Sequence, residues 1–379
     1  MPSCGIHFNV WIRADEPQLV RAVERSRTIA ETIRDIPVTV GVRRRLNALN
    51  FARAVRGTTA IEGTRISEDE ALAVLEAAPN RRVLPASRAR DEREARNAQA
   101  ALEFVQRVVR TDPNRPLDEP LIREIHRLTT DGLRYPGNVP GEYRSHAVVV
   151  GDYRPPATGE EVRRLISEFL RWFNHGEARR WDSIVRAALA HFFVVSIHPF
   201  GDGNGRTSRA VESFMLRHAG IHAFGFYSLA NFYYEHQHEY IATLTASMFQ
   251  PKGDLTDFVL FAVEGLAGEL ATVRSELLAM VRTVAFRDYA RERLEAVPRL
   301  GEQRRSRMLE LIRRLSDVAL RGLDQERVET YGIVATVYGR IGQRTVQRDL
   351  RLLLDQRLLI ERDGRLVPNL EIMSEFAEA

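Results

Sequence analysis

His198-Pro199-Phe200-Gly201-Asp202-Gly203-Asn204-Gly205-Arg206-Thr207-Ser208-Arg209 is the stretch around which the rest of the chain is arranged. An apolar run with helical spacing, 184–197, precedes it, and a second such run, 210–218, follows it. The pattern predicts a loop between two helices, with the second helix beginning near Asn204. We therefore expect a mainly helical protein that carries its chemistry on this loop.

The loop has the composition of an anion-binding site. Three glycines, at positions 201, 203 and 205, leave the backbone N–H groups open to a ligand. The glycines precede a helix N-terminus, where unpaired N–H groups and the helix dipole favour a negative charge. Arg206 and Arg209 share a face of the first turn, where two cations need a compensating anion. The pattern predicts a polyphosphate held by guanidinium groups.

Two further side chains of the loop indicate what happens to that phosphate. Asp202 is the only carboxylate of the loop and suits Mg²⁺, which is commonly held by a carboxylate together with phosphate oxygens. His198 is the only side chain of the loop that can take up a proton near neutral pH. A base, a metal-binding carboxylate, backbone amides and two arginines together predict a phosphate-transfer site.

The segment resembles the signature of the Fic (Fic/Doc) family, HPFx[DE]GNGRxxR, and matches it at every fixed position. In that family a hydroxyl of a target protein attacks the α-phosphate of ATP, AMP is transferred and pyrophosphate leaves. The resemblance implies that His198 is the base and that Asp202 holds Mg²⁺ between the α- and β-phosphates. It also implies an anion hole of Gly203, Asn204 and Gly205, with Arg206 on the β-phosphate and Arg209 on the γ-phosphate.

A second motif, Thr58-Thr59-Ala60-Ile61-Glu62-Gly63, ends a predicted helix that begins near Val42. On the local pattern alone, Glu62 is a solvated residue before a helix-stopping glycine, in a place where a carboxylate favours a nearby cation. Beside the loop motif, Thr58, Glu62 and Gly63 resemble the inhibitory motif of the family, [ST]xxxE[GN]. The resemblance implies that Glu62 pairs with Arg209 and excludes productive binding of the γ-phosphate.

A β-branched run, 147–150, followed by Gly151-Asp152 predicts a short hairpin. From the residues alone, an ordinary edge hairpin remains an alternative. The resemblance implies instead a flap over 146–153 that holds the target by main-chain pairing. The flap residues that we expect to dock the target are Val148, Val149, Val150 and Gly151.

The last part of the chain has the element order of a winged helix-turn-helix. Three helices are predicted, the third from Gly342 to about Leu354, followed by a hairpin over 358–367. The polar side of the third helix is rich in arginine and amide side chains: Arg344, Gln347, Arg348 and Arg351. These residues are typical of a recognition helix in a DNA major groove. Docking of a protein by this module is the alternative.

Two histidines outside the loop fall in predicted helices. We interpret His126 as a packed or surface histidine rather than a ligand. His191 lies seven residues before His198 and could share its helix face, but no acidic or cysteine partner completes a metal set. We therefore expect a core or supporting role for His191.

Composition narrows the class of protein. The 379 residues are 44% apolar and 28% charged, with a net charge of +4, as in a globular protein of two or three domains. The single lysine, Lys252, excludes a Walker A motif, and the single cysteine, Cys4, indicates a reducing compartment. The chain shows no apolar signal core and no apolar run of membrane-spanning length, so we expect a cytoplasmic protein without membrane contact.

These observations predict a mainly α fold: a Fic helical core with a short β-hairpin flap, plus a C-terminal winged helix. The expected division is 1–85 for an N-terminal region with the inhibitory helix, 86–250 for the catalytic core, 251–298 for a helical linker and 299–379 for the winged helix. The expected function is AMP transfer from ATP to a Tyr, Thr or Ser hydroxyl of a target protein, with the chain itself as a second candidate target. The alternatives are AMP removal, transfer of another nucleotide, or an ATP-sensing DNA-binding regulator. Because inhibitory contacts in the family can depend on assembly, a homodimer is a further candidate partner.

Overall fold

The computed structural model describes residues 6–8, 10–78, 81–221, 229–250, 253–319, 326–339, 341–362 and 365–375. The chain divides into two compact units, Met1–Arg274 and Ser275–Ala379. The four-part division expected from the sequence stays a prediction. Within the described ranges, every helix is too short or too polar to span a bilayer.

The first unit is built from helices, which confirms that the protein is mainly α-helical. In chain order they are α1 Pro17–Asp35, α2 Val40–Ala60, α3 Glu68–Glu76, α4 Ala89–Thr111, α5 Glu119–Thr130, α6 Gly159–His175, α7 Ser183–Ile197, α8 Asn204–His218, α9 Ala230–Glu235 and α10 Gln237–Met248. A longer helix, α11 Thr256–Glu295, begins in this unit and continues into the second.

Three helices begin at caps that the sequence predicts, because Ser67-Glu68-Asp69-Glu70 and Thr158-Gly159-Glu160-Glu161 have the capping-box pattern and Asp182 precedes an apolar helical run. Ser67 and Thr158 each accept a hydrogen bond from the backbone of a glutamate three residues later, whose carboxylate bonds back to the cap, so both capping boxes form. The Asp182 side chain accepts from the Ile184 N–H at the start of α7. Each such cap stabilises its helix by about 1 kcal/mol.

Helix α7 is the centre of the first unit. Apart from Ser183 and Arg186 all its residues are buried, so it has no polar face, as expected of a helix that is covered on every side. It packs along α8, and α8 packs in turn on α4 and α5. The loop between α7 and α8 is therefore held between two helices that cannot move independently of the core.

Close backbone packing fixes the C-terminal half of α2. At Gly57 a Cβ atom would lie 2.5 Å from the carbonyl oxygen of Ala230, at the start of α9. Only glycine allows this approach, because any side chain would have to displace backbone rather than a flexible tip. The segment that follows Gly57, which carries Thr58 and Glu62, is thereby placed against the core.

Two expectations for this unit need correction. The predicted hairpin over 146–153 is only a tight turn, in which Val150 and Tyr153 form one antiparallel bridge. Pro155 and Pro156 lack the N–H groups that would continue the ladder. The spacing of apolar residues over 231–249 predicts a single helix, but it is interrupted at His236, which separates α9 from α10.

The second unit contains α12 Glu302–Ala319, α13 Glu326–Tyr338, α14 Gln343–Asp355, β1 Leu359–Arg362, β2 Arg365–Pro368 and α15 Ile372–Glu375. The strands are antiparallel, with Leu359 opposite Pro368. Its core includes apolar residues from α12, α14 and β1, among them Leu311, Leu353 and Leu359. The element order is the one expected for a winged helix, while that assignment stays a prediction. The expected turn residues 363–364 lie outside the described residues.

Candidate active site

The loop between α7 and α8 is closed by Asn204, the first residue of α8. Its Oδ1 accepts the Phe200 N–H and its Nδ2 donates to the Phe200 carbonyl, both at 2.9 Å. The Asn204 side chain is buried, so these two bonds form in a low-dielectric environment where they hold the loop firmly. The loop conformation is thus set by a side chain of the motif itself.

His198 ends α7 in the left-handed region, with φ 50° and ψ 58°. This conformation costs a residue other than glycine about 1–2 kcal/mol. Arg144, which is buried, offsets that cost by donating from Nε to the His198 carbonyl at 2.7 Å, while its own N–H donates to the Pro199 carbonyl at 3.0 Å. Arg144 also donates from Nη1 to the His146 carbonyl at 2.7 Å, at the start of the expected flap.

The imidazole of His198 has a defined tautomer. Its Nδ1 lies 3.2 Å from the Val195 carbonyl, which can only accept, so Nδ1 carries the proton and Nε2 keeps its lone pair. Burial lowers the pKa of His198 to about 4, and the nearby Arg144 charge acts in the same direction. His198 is therefore a neutral proton acceptor at neutral pH.

Asp202 and Arg206 form an ion pair inside the loop. Arg206 Nη2 donates to Asp202 Oδ1 at 3.0 Å, and the Gly203 N–H donates to the same oxygen. The Arg206 side chain is 3% exposed, whereas that of Asp202 is 38% exposed. The Asp202 carboxylate is thus accessible from solvent, whereas the Arg206 guanidinium is buried.

Glu62 and Arg209 form the contact that the motif resemblance implies. Arg209 Nη2 donates to Glu62 Oε1 at 2.6 Å and to the Thr58 carbonyl at 2.9 Å, and Arg209 Nε donates to the Thr58 hydroxyl at 2.9 Å. Thr58, near the end of α2, and Glu62, in the turn that follows α2, thus hold the guanidinium together. Gly63, with φ 95°, ends this turn in a conformation that suits glycine.

The carboxylate of Glu62 lies at the N-terminus of α8. A Cβ atom at Gly205 would collide with Glu62 Oε1, so the motif glycine is what allows the carboxylate to come this close. Desolvation of the Glu62 carboxylate, whose side chain is 33% exposed, opposes its ionisation, but the charges of Arg209 and Arg206 outweigh this effect and lower its pKa. An ionised carboxylate therefore lies at the helix N-terminus where the sequence predicts that an anion binds.

The residues expected in the target-docking flap lie at the surface. Val149 and Val150 are 59% and 41% exposed, Val148 is half-buried, and Gly151 occupies the turn with φ 56°. They follow directly after the segment in which Arg144 contacts the His198 carbonyl. Their backbone lies outside any described β-ladder apart from the bridge at Val150.

Sequence reasoning missed a buried carboxylate beside the loop. Glu94 of α4 accepts from the Tyr135 hydroxyl at 2.8 Å and from the Thr64 hydroxyl, and its Oε1 lies 3.9 Å from Arg206 Nη1. Burial opposes the ionisation of Glu94, but these bonds and the Arg206 charge outweigh it and lower the pKa. Thr64 follows Glu62 by two residues, so Glu94 contacts both the turn that carries Glu62 and the side chain of Arg206.

His191 is part of the core, as expected. It is fully buried, its Nε2 lies 3.0 Å from the Tyr240 hydroxyl, and its Nδ1 lies 3.2 Å from Glu212. Tyr233 donates to the same carboxylate at 2.8 Å. The two tyrosines are therefore core residues of a polar cluster next to Arg209.

Comparison with known protein families gives a match to the part of the chain that contains this loop. A family model described as the Fic/DOC family matches residues 116–216, which include the loop and both of its arginines. Residues 116–216 form a Fic/DOC domain. The remaining helices of the first unit, including α2, and the turn after α2 that carries Glu62 lie outside the matched range.

Named relatives extend the likeness beyond the Fic/DOC domain. Protein adenylyltransferase fic-1 of Caenorhabditis briggsae is 30% identical over 221 residues, 55% of this chain and 41% of that protein. Protein adenylyltransferase Fic of Aedes aegypti is 35% identical over 147 residues, 38% of this chain and 26% of that protein. The chain thus spans less than half the length of these curated relatives.

Solved structures share the fold. A Fic family protein from Desulfovibrio desulfuricans G20 superimposes with a TM-score of 0.57 at 21% identity, covering 92% of both chains. A fragment of Fic-1 from Caenorhabditis elegans gives a TM-score of 0.56 at 23% identity, covering 70% of this chain and 73% of that one. At these identities the likeness establishes the fold alone.

Proposed function

We propose that this chain is a protein adenylyltransferase that moves AMP from ATP to a hydroxyl side chain of a target protein. The observation that carries the proposal is the geometry of the loop between α7 and α8. Its neutral histidine has Nε2 available as a proton acceptor, and the helix that follows presents two buried arginines at its N-terminus. The relatives named adenylyltransferase support the same reaction class.

The proposed step is an in-line displacement at the α-phosphate of ATP. His198 Nε2 takes the proton of the target hydroxyl, the hydroxyl oxygen forms a bond to the α-phosphorus, and the bond between that phosphorus and the bridging oxygen breaks. Pyrophosphate leaves with the electron pair of the broken bond. Positioning and charge neutralisation supply most of the rate in such reactions.

Asp202 fits the role of the Mg²⁺ ligand. It is a partly exposed carboxylate, and the contacts from Gly203 and Arg206 fall on a single oxygen, Oδ1. When bound, Mg²⁺ would neutralise charge on the α- and β-phosphates. The protein residue that would hold it is Asp202.

The two arginines that we expect to bind phosphate already contact carboxylates of the chain. Arg206 pairs with Asp202, and Arg209 pairs with Glu62. We propose that phosphate oxygens take over these donors, so that Arg206 binds the β-phosphate and Arg209 the γ-phosphate. Backbone N–H groups of Gly203, Asn204 and Gly205 would complete the anion hole. Glu62 then competes with the γ-phosphate for Arg209, which makes the Glu62–Arg209 pair an intramolecular inhibitor.

The position of the phosphate label distinguishes the reaction types. Purified chain is incubated with Mg²⁺ and ATP that is labelled either at the α- or at the γ-phosphate, with candidate target protein added. Label from α-labelled ATP on protein supports AMP transfer. Label only from γ-labelled ATP would show phosphate transfer, and loss of AMP from a pre-labelled target would show AMP removal, the second candidate for this site.

The pH dependence of the reaction should reveal the low pKa of His198. A base with an ordinary pKa of 6.5 would lose activity below that value, whereas a pKa of about 4 keeps His198 neutral well into the acid range. We expect kcat/KM, which reports the free enzyme, to stay flat from about pH 8 down to about pH 5. The measurement uses Glu62→Gly chain, in which loss of the carboxylate lowers the His198 pKa further, and saturating Mg²⁺. An acid limb near the ordinary histidine value would contradict the assigned environment.

The exposed residues of the flap indicate how a target protein would dock. Val148, Val149 and Val150 present apolar side chains and open backbone beside the loop. We propose that a target segment pairs with this backbone and brings a Tyr, Thr or Ser hydroxyl to His198. Which of the three hydroxyls is modified is decided by target peptides that differ only in that residue.

A specific observation favours DNA binding as a further function of the second unit. Arg344, Arg348 and Arg351 are exposed on α14, whereas Asp349 on the same helix is buried and paired with Arg304 and Arg307 of α12. Burial of the carboxylate removes a negative charge from the surface and leaves α14 a basic face of the kind that contacts phosphates and base edges.

Binding to duplex DNA at several salt concentrations tests this function. Replacing Arg344, Arg348 and Arg351 together by Gln should lower the slope of log affinity against log salt by about 3, one for each arginine. The matched control replaces three exposed arginines elsewhere in the unit, Arg291, Arg293 and Arg299, by Gln. If the slope falls equally in both variants, DNA binds through the general positive charge of the unit and not through the exposed face of α14. A change of affinity on addition of ATP would favour an ATP-sensing regulator.

We also propose a cytoplasmic location and a homodimer as the assembled form. The single cysteine supports a reducing compartment. Sedimentation of the purified chain over a range of concentrations tests the dimer.

A further inference from the structure

His126 of α5 lies against the catalytic loop although it is outside the loop motif. It is fully buried, and its ring stacks on that of Phe200 with a centroid distance of 3.6 Å and an interplanar angle of 6°. A histidine expected only to pack is therefore in direct contact with a motif residue. The stack fixes the plane of the imidazole and hence the direction of both ring nitrogens.

The hydrogen bonds of His126 determine its tautomer. The Gly141 N–H donates to Nδ1 at 2.9 Å, so Nδ1 carries the lone pair. Nε2 must then carry the proton, and it donates to the Asp202 carbonyl at 3.0 Å. A neutral His126 in this tautomer satisfies both bonds at once.

The other backbone group of Asp202 is also held by a side chain from outside the motif. The Asp202 N–H donates to Asn138 Oδ1 at 3.1 Å. The peptide groups on both sides of the Asp202 Cα are thus tied down, one by Asn138 and one by His126. Two fixed peptide planes determine the direction of the Cα–Cβ bond and so the direction in which the carboxylate points.

Close packing prevents the loop from moving toward α5. A Cβ atom at Gly203 would lie 2.6 Å from Cγ2 of Thr130, and one at Gly201 would lie 2.5 Å from the Gly137 carbonyl oxygen. The loop therefore rests on the backbone and side chains of the segment 126–141. The hydrogen bonds to Asp202 therefore hold a loop that cannot move closer to α5.

We propose that His126 and Asn138 are positioning residues that aim the Asp202 carboxylate at the metal. The inference rests on the proposed role of Asp202 as the Mg²⁺ ligand. Residues that orient a ligand from behind typically contribute about 10- to 100-fold to metal affinity. Neither residue touches the nucleotide or the metal in this assignment.

The test separates the two hydrogen bonds of the His126 imidazole in a 379-residue chain that carries Glu62→Gly. In His126→Gln the side-chain amide places a donor near the Nε2 position, whereas in His126→Asn the amide reaches only the Nδ1 position and leaves the Asp202 carbonyl without its donor. His126→Leu removes both bonds, and Asn138→Ala removes the acceptor of the Asp202 N–H. Mn²⁺ binding in the presence of a non-hydrolysable ATP analogue is followed by the electron paramagnetic resonance of free Mn²⁺.

We expect His126→Asn, His126→Leu and Asn138→Ala to weaken Mn²⁺ binding by about 10-fold or more, and His126→Gln to stay within about 3-fold of the parent chain. Binding of the analogue in EDTA should be unchanged in all four variants, which a general loss of structure would not allow. Equal loss in the Gln and Leu variants would overturn the donor role of Nε2. If the buried Leu substitution prevents folding, Asn138→Ala and the contrast between Gln and Asn decide the question.

An Asp202→Asn variant in the same assay separates this inference from the proposed function. If Asp202→Asn binds Mn²⁺ like the parent chain, the metal role of Asp202 is wrong. If Asp202→Asn weakens binding while His126→Asn and Asn138→Ala do not, Asp202 is the ligand and the positioning role is wrong.

Discussion

Replacing His198 by Ala in a Glu62→Gly chain should lower AMP transfer by about 10²- to 10⁴-fold, the usual contribution of a general base. The reason is that His198 Nε2 is the acceptor that its tautomer leaves open at the loop. Incorporation of label from α-labelled ATP under single-turnover conditions measures the change. Affinity for ATP should be nearly unaffected, because the proposed phosphate contacts come from Arg206, Arg209 and backbone N–H groups.

A histidine outside the site provides the matched control for this substitution. His175, the exposed last residue of α6, is replaced by Ala in the same background and should leave the rate unchanged. A His198→Ala chain that retains the full rate of transfer would exclude His198 as the base. It would leave the ATP-sensing regulator as the better account of the domain.

The Glu62→Gly substitution by itself should raise AMP transfer by about 10- to 100-fold. The estimate follows from loss of a charged hydrogen bond, worth about 1.5–3 kcal/mol, that the γ-phosphate would otherwise have to displace from Arg209. The bond joins Arg209 Nη2 to Glu62 Oε1 at 2.6 Å. The affinity for ATP and the rate of self-labelling are both measured, and both should increase.

Two further variants show whether inhibition depends on the charge of Glu62 and on the position of that charge. Glu62→Gln keeps the size of the side chain and removes its charge, so it should also activate, though by less than Glu62→Gly. Glu168→Gln removes a carboxylate that pairs with Arg164 on the outer face of α6 and should have no effect. Unchanged transfer in both Glu62 variants would count against inhibition by this contact. Because the Glu62 pKa is lowered, mild acid should not mimic these variants.

Much of the helical framework follows from local signals in the chain. The capping boxes at Ser67 and Thr158, the cap at Asp182 and the start of α8 at Asn204 all lie where the sequence predicts. These features depend on side chains that bond to backbone within a few residues. The interactions are local, so the sequence pattern is sufficient to recognise them.

The expected hairpin over 146–153 shows where local patterns mislead. The β-branched run and the Gly151-Asp152 pair favour a hairpin, but the backbone at Arg144 bonds to the loop between α7 and α8, and two prolines follow the turn. The segment therefore forms one bridge at Val150 instead of a ladder. A sequence pattern that covers eight residues contains no information about backbone hydrogen bonds that a distant part of the chain forms with the same segment.

The motif residues of the loop, and their resemblance to a known family, were sufficient to predict a phosphate-binding site and to name Glu62 as the partner of Arg209. Glycines, arginines and a histidine at fixed spacing carry that information because their roles depend on a helix N-terminus that they form themselves. His126, Asn138 and Glu94 could not be recognised in this way. Each acts on the loop across 64 or more residues of sequence through a hydrogen bond or a charge. Only the packing of α4, α5 and the segment after α5 against the loop brings these groups within bonding distance, and that packing is a property of the whole fold.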